Sequence, residues 1–148
     1  ELRTRIERLE TEAVEQFNDH MDEVLEILEY DNIARIWIER KTDGDHSTFD
    51  LHVVRAGPDG AAYEDRIETL SESEREVTGL VFALAGYLVH DVHEVCPIMV
   101  LDSLEAIDAE RIATLVEYVG EYADSLLVAL LPEDAAALDD DYQRITDI

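Results

Sequence analysis

The sequence predicts an α/β domain, in which a long amino-terminal helix and an antiparallel strand pair precede a strand–helix–strand layer. Three observations predict it. Apolar residues recur at steps of three and four over residues 1–29, 73–90 and 109–122, the period of an amphipathic helix. Residues 32–41 and 48–55 alternate apolar with polar, the period of a half-buried strand. Residues 98–101 and 126–131 are short, wholly apolar runs of the kind found in strands buried on both faces.

At 148 residues the chain has room for one domain with an ordinary core, and an apolar content of 47% supplies one. The charge is out of the ordinary. Asp and Glu number 37 against 11 Lys and Arg, a net of −26, and Lys41 is the only lysine. A surface this acidic repels itself until salt screens it, and the acids are spread along the chain with no acidic tail. We read it as the surface of a halophile's cytoplasmic protein. The same charge argues against autonomous, sequence-independent DNA binding, which sets Lys and Arg opposite phosphates. Cys96 has no partner for an internal disulfide, so a reducing compartment is expected. No apolar run reaches the ~18 residues that would span a membrane, and no signal peptide is visible. The first residue, Glu1, already stands in a helical pattern, which reads as a piece of a longer protein.

In order, Leu2, Ile6, Leu9, Ala13, Phe17, Met21, Val24 and Leu28 form one seam with no Gly or Pro to interrupt it. The first ten or so residues read as coiled coil, and Phe17 onward as a helix packing on the domain that follows. The division is therefore 1–29, a helix at the base of a coiled coil, and 30–148, the domain proper. Ile33, Ile36 and Ile38 lie on one face of the first strand or share it with Trp37; Phe49, Leu51 and Val53 mark the apolar face of the second. Thr42-Asp43-Gly44-Asp45 between them is turn chemistry. Gly57-Pro58-Asp59-Gly60 stops the second strand, and residues 61–69 connect onward with room for a short strand. Val77, Leu80, Val81, Leu84 and Leu88 stripe the next helix. A right-handed parallel crossover joins the two apolar strands through the helix carrying Ile112, Leu115, Val116 and Val119. Pro132 stops the second of these strands, and residues 142–148 could add a last one.

The chemistry concentrates in residues 70–108. Ser71-Glu72-Ser73-Glu74 is an S-x-x-E capping box, able to start any helix. Pro97-Ile98-Met99-Val100-Leu101-Asp102 is an apolar strand ending in an acid. Asp108 suits the N-cap of the following helix. His90, His93 and Cys96 stand at i, i+3 and i+6, but a closed zinc site needs a fourth ligand. We read them as polar residues at a helix end. A triphosphate cradle of the form G-x-x-x-x-G-K followed by Ser or Thr is missing: Lys41-Thr42 is preceded by Arg40, with Arg35 where the first glycine belongs.

Taken together, Leu70-Ser71-Glu72-Ser73-Glu74, the strand ending at Asp102, and Asp102-Ser103-Leu104-Glu105-Ala106-Ile107-Asp108 resemble a degenerate ABC-type signature, a Walker B strand and a D-loop. The 28-residue step from Glu74 to Asp102, with one helix between, strengthens the likeness. The chain resembles the carboxy-terminal half of an SMC-type ATPase head, as in the archaea-specific SMC-related proteins of halophiles, over roughly residues 1–148. The resemblance implies the carboxy-terminal lobe of an ABC/SMC head, P-loop NTPase-like but without its Walker A lobe. It implies ATP and Mg²⁺ as cofactors of the intact protein. Ser71 and Ser73 at a helix start would meet the γ-phosphate of a nucleotide held by an opposing head, where free N–H groups attract anions. Asp102 would organise Mg²⁺, and Asp108 would couple the two heads.

The pattern departs from the family's in four places, one being that Asp108 lies one residue closer to Asp102 than is common. Glu72 and Ser73 replace both signature glycines. Ser103 stands where the water-polarising glutamate is usual, leaving Glu105 as the nearest substitute acid. Leu131-Pro132-Glu133-Asp134 carries no switch histidine. The implied partners are the Walker A lobe of the same protein, a second SMC-like head, and DNA only through the intact assembly. The implied setting is chromosome-associated work in chromosome organisation or DNA repair, with no hydrolysis by this segment alone. The alternative is a non-enzymatic acidic interaction domain that pairs through its amino-terminal helix.

Overall fold

A computed structural model describes residues 1–44 and 46–146. Helix α1 (Leu2–Leu28) is followed by strands β1 (Ile33–Asp43), β2 (His46–Ala56) and β3 (Ala62–Asp65). A 3₁₀ turn (Ile67–Thr69) leads into α2 (Glu72–Val89), and α3 (Val92–Val95), β4 (Ile98–Leu101), α4 (Ala109–Gly120), β5 (Ser125–Val128) and α5 (Pro132–Ala135) complete the chain. No described helix is long and apolar enough to cross a membrane.

The seam of α1 is buried along only part of its length. Met21, Val24, Leu25 and Leu28 are buried, whereas Leu2, Ile6 and Leu9 remain open to solvent. The helix stops where Glu29 turns left-handed, its N–H donating to the Leu25 and Glu26 carbonyls.

Strands β1, β2 and β3 form an antiparallel sheet in that order. An irregularity between Ile33 and Arg35 shifts the register, so Ile33 is buried alongside Ile36 and Ile38 despite its odd spacing. The hairpin lies along α1. Its edge is closed by Asn18, whose side-chain amide donates to the Ile38 carbonyl (3.0 Å) and accepts from the Ile38 N–H (2.7 Å). The Asn18 amide thus takes the place of a neighbouring strand's backbone. Further out, Glu10 of α1 accepts from Arg40 and Ser47, and Arg3 donates to the Gly44 carbonyl. Phe49, expected in the core, is exposed: it pairs with Arg40 at the end of the hairpin, where α1 presents Glu10. The turn residue Asp45 lies outside the described residues. The second turn needs its glycines. Gly60 has φ +77°, and a Cβ on Gly57 would sit 2.7 Å from the Ala61 carbonyl oxygen.

The core lies between α1, the inner face of β1–β2, α2 and α4, and takes in Leu101, Leu104 and Ile107. β4 and β5 pair in parallel through α4, in register from Ile98↔Ser125 to Leu101↔Val128. Their burial corrects the expectation from sequence. Met99 and Leu101 face inward, but Ile98, Val100 and Leu127 are exposed, Val100 at 67%. A sheet of two strands has nothing of its own to cover its second face, so these apolar strands are buried on one side only. The expected last strand over residues 142–148 is absent from its described part, 142–146; residues 147 and 148 lie outside the described residues.

Candidate functional site

Two groups of side chains carry the chemistry singled out from sequence. The first sits at the amino terminus of α2. Ser71 is its N-cap, accepting from the Glu74 N–H, while the Glu74 carboxylate accepts from the Ser71 N–H at 2.7 Å. Ser73 Oγ lies 3.3 Å from Ser71 Oγ and 3.4 Å from the Tyr30 hydroxyl. Ser71 and Glu72 face solvent, and Glu74 is buried at 2%.

A buried carboxylate needs compensation. Arg55 of β2 provides it, donating to Glu74 and to Asp65. Burial pushes the Glu74 carboxyl up, but the Ser71 backbone and hydroxyl bonds and the Arg55 charge outweigh that and hold it below the usual glutamate range. Asp65 is held low as well, by the Thr69 hydroxyl first, then the Arg66 N–H and Arg55. Sequence reasoning took Glu74 as the far end of a capping box and of a signature-like stretch, and passed over Arg55 and Asp65. A buried glutamate at N3 is not visible in an S-x-x-E pattern, because only the tertiary fold decides which side of a helix start is covered.

The second group lies on the loop from β4 to α4. Asp102 leaves the strand end exposed; its Oδ1 accepts the Ser103 N–H at 2.8 Å, and no described group is bonded to Oδ2. Ser103 has φ +60°, a left-handed backbone that costs a non-glycine residue ~1 kcal/mol. Leu104 and Ile107, both buried, pin the loop to the core, with the Ile107 N–H donating to the Leu104 carbonyl. Glu105 is exposed on this turn, not on the extended segment that spacing alone would give. Asp108 is the N-cap of α4, accepting from the Arg111 N–H, and its carboxylate pairs with the Arg111 guanidinium, which also reaches Glu29. Among the described residues no hydrogen bond or ion pair joins the α2 group to the β4–α4 loop.

His90, His93 and Cys96 are not gathered. The His90 ring meets Phe17, the His93 ring stands between Tyr87 and Tyr122, and Cys96 is exposed. Among the described residues, metal-capable atoms converge elsewhere, at Glu39, Asp50 and His52 on the hairpin sheet.

Comparison with known proteins places this geometry. No family model matches the chain. It is 59% identical over 94% of its length to the Smc-like protein Sph2 of Halobacterium salinarum, and 57% identical over 97% to the Smc-like protein Sph3 of Haloferax volcanii. In both cases it spans only 23% of the relative's length. Among solved structures it is similar to an Smc head bound to the C-winged helix domain of ScpA, with TM-score 0.65 and 18% identity, covering 87% of this chain and 39% of that one. A second, from work on ATP-driven dimerization and DNA-stimulated activation of SMC ATPases, gives TM-score 0.60 and 17% identity, covering 90% of this chain and 78% of that one. Most of the chain thus shares its fold with SMC heads although few residues are identical. In sequence the chain belongs to the haloarchaeal SMC-related proteins, and its α/β fold with an amino-terminal helix is similar to that of SMC head structures.

Proposed function

We propose that this chain is the carboxy-terminal lobe of an ATP-binding SMC-like head and completes a nucleotide site only in company. The observation that carries this reading is the bare outer face of β4–β5. Ile98, Val100 and Leu127 are exposed on a two-stranded sheet whose carboxyl end delivers Asp102. Contiguous exposed apolar surface marks a place where something packs. The Walker A lobe of the same protein is the occupant this reading assigns. It would extend the sheet's cover and bring a triphosphate cradle to the strand end.

In this reading Asp102 holds Mg²⁺, and the fit is chemical: its Oδ2 has no bonded neighbour among the described residues, and a hard cation takes carboxylate oxygen. The ion would neutralise phosphate charge. Ser71 and Ser73, at the free N–H groups of α2, receive the γ-phosphate of a nucleotide on a second head. Asp108 lies on the same loop as Asp102 and meets the second head. Ser103 carries no base, which assigns any water-orienting role to Glu105. The intact protein, with its coiled coil continuing from α1, would act on DNA in chromosome organisation or repair.

Substitution of Ser71 tests the reading without disturbing the fold. Asp caps a helix as well as Ser does, so Ser71→Asp keeps α2 while setting a carboxylate where a phosphate is to bind. Nucleotide-driven association of the intact protein, followed by light scattering, should be abolished by Ser71→Asp and by Asp102→Ala. Unchanged association in both variants would leave these residues as core and capping elements of a non-enzymatic interaction domain.

A further inference from the structure

The outer face of the β1–β2–β3 sheet, turned away from α1, carries side chains that the head reading does not use. The register places Trp37, Glu39 and Lys41 of β1, Asp50 and His52 of β2 and Glu64 of β3 on this one face. Glu39 and Asp50 stand directly opposite each other, and like charges so placed oppose sheet formation unless a cation lies between them. Lys41 provides one, its Nζ 3.3 Å from Glu39 Oε2 and 2.7 Å from Asp50 Oδ2.

His52 adds an independent feature. Its Nδ1 lies 2.5 Å from Glu64 Oε1, and its Nε2 lies 3.0 Å from Glu39 Oε2. A neutral imidazole has one N–H and one lone pair. In the neutral tautomer whose N–H donates to Glu64, the Nε2 lone pair faces Glu39 Oε2, a carboxylate oxygen that Lys41 Nζ also meets. Metal centres use the same arrangement, with a carboxylate holding one ring N–H and the other nitrogen bound to the ion. The ring is held in place: it is 14% exposed and stacked on Trp37 with centroids 4.3 Å apart. The candidate ligand atoms of Glu39, Asp50 and His52 all lie within 4.8 Å of one another.

We propose that Glu39, Asp50 and His52 form a binding site for a transition-metal dication of the zinc, cobalt or nickel type. Glu64 orients the imidazole, and Lys41 neutralises the carboxylates until the ion displaces it. One imidazole nitrogen with two carboxylate oxygens is a three-ligand set, and the nitrogen favours these ions over Mg²⁺ or Ca²⁺. Such an ion ties β1 to β2, stiffening the hairpin that braces α1. The rival occupant of the space between Nε2 and Glu39 is a proton.

Zinc titration calorimetry on the 148-residue chain, with Co²⁺ absorption as the spectroscopic readout, tests the site. Molar KCl and excess Mg²⁺ suppress nonselective binding to a chain of net charge −26. A single equivalent should bind with a cobalt ligand-field band, and both signals should vanish in His52→Gln. Glu64→Gln should weaken binding about tenfold or more, and Lys41→Gln should tighten it. All three changes lie on the solvent face, and circular dichroism checks that the fold is kept. The proposal is overturned if neither the unaltered chain nor Lys41→Gln binds stoichiometrically, since a proton then suffices. It is equally overturned if His52→Gln binds as the unaltered chain does, since scattered carboxylates then account for the uptake.

Discussion

The molecule contains two sheets finished in opposite ways. The β1–β2–β3 sheet is long and antiparallel, and closed on its inner side. Ile36 and Val53 are fully buried, Asn18 seals the backbone of the edge strand, and Arg55 ties the sheet to α2 through Glu74. The β4–β5 sheet is two strands of four residues, closed inward by α4 but bare outward at Ile98, Val100 and Leu127. Both turn apolar side chains toward the core. They differ in what the rest of this chain can lay on them. The difference teaches that a strongly apolar strand reports how much cover it is meant to have, which can exceed what its own chain supplies. In the proposed function, a segment that spans 23% of its relatives' length leaves that cover to a complementary lobe.

Ile36→Ala in the closed sheet should give the largest effect on this contrast. The side chain is fully buried, and truncation should cost about 3 kcal/mol, read as a lower denaturation midpoint at unchanged slope. A loss under about 1 kcal/mol would mean that the hairpin sheet is no better closed than its neighbour.

Glu74→Gln should cost less, about 2 kcal/mol near neutral pH, because it weakens a charged hydrogen-bond set without opening a cavity. Its pH dependence sharpens the comparison. The folded-state pKa of Glu74 lies below its unfolded value, so the folded chain holds fewer protons on this group than the unfolded chain does. The stabilisation is fully present above the ordinary glutamate value of about 4.3 and drains away as pH falls through the lower folded-state value. The difference between the unaltered chain and Glu74→Gln should therefore shrink on acidification below about pH 4; a gap that stays constant would remove the carboxylate from the explanation.

Val100→Ser on the open sheet should have the smallest effect, within about 0.5 kcal/mol in this chain, since the residue is 67% exposed. Joined to the complementary lobe, the same substitution should lower stability clearly, as buried-site changes do. Equal tolerance in both settings would break the argument that the open face awaits a partner.

Much of this was legible in the sequence because it rests on local rules. Helix period located α1, α2 and α4, alternation located β1 and β2, and the capping box and the Asp108 N-cap appear as their patterns require. Other features were illegible for stated reasons. Ile33 is buried only because a register irregularity turns it inward. Phe49 is exposed because the partner helix offers Glu10, not an apolar neighbour, at that height. Glu105 leaves the extended path because Leu104 and Ile107 anchor a turn around it.

By itself, then, the sequence determined the order and type of the main elements from α1 to β5, the acidic surface and the likeness of residues 70–108 to an SMC-type head. These follow from periodicity, composition and motif spacing, all properties of neighbouring residues. Only the tertiary structure decided which face of each strand meets the core, which carboxylates are buried against arginine, and which of the many acids gather around His52. Those outcomes depend on contacts between residues far apart in the chain, where burial and electrostatics are set by what the fold brings near and what it leaves uncovered.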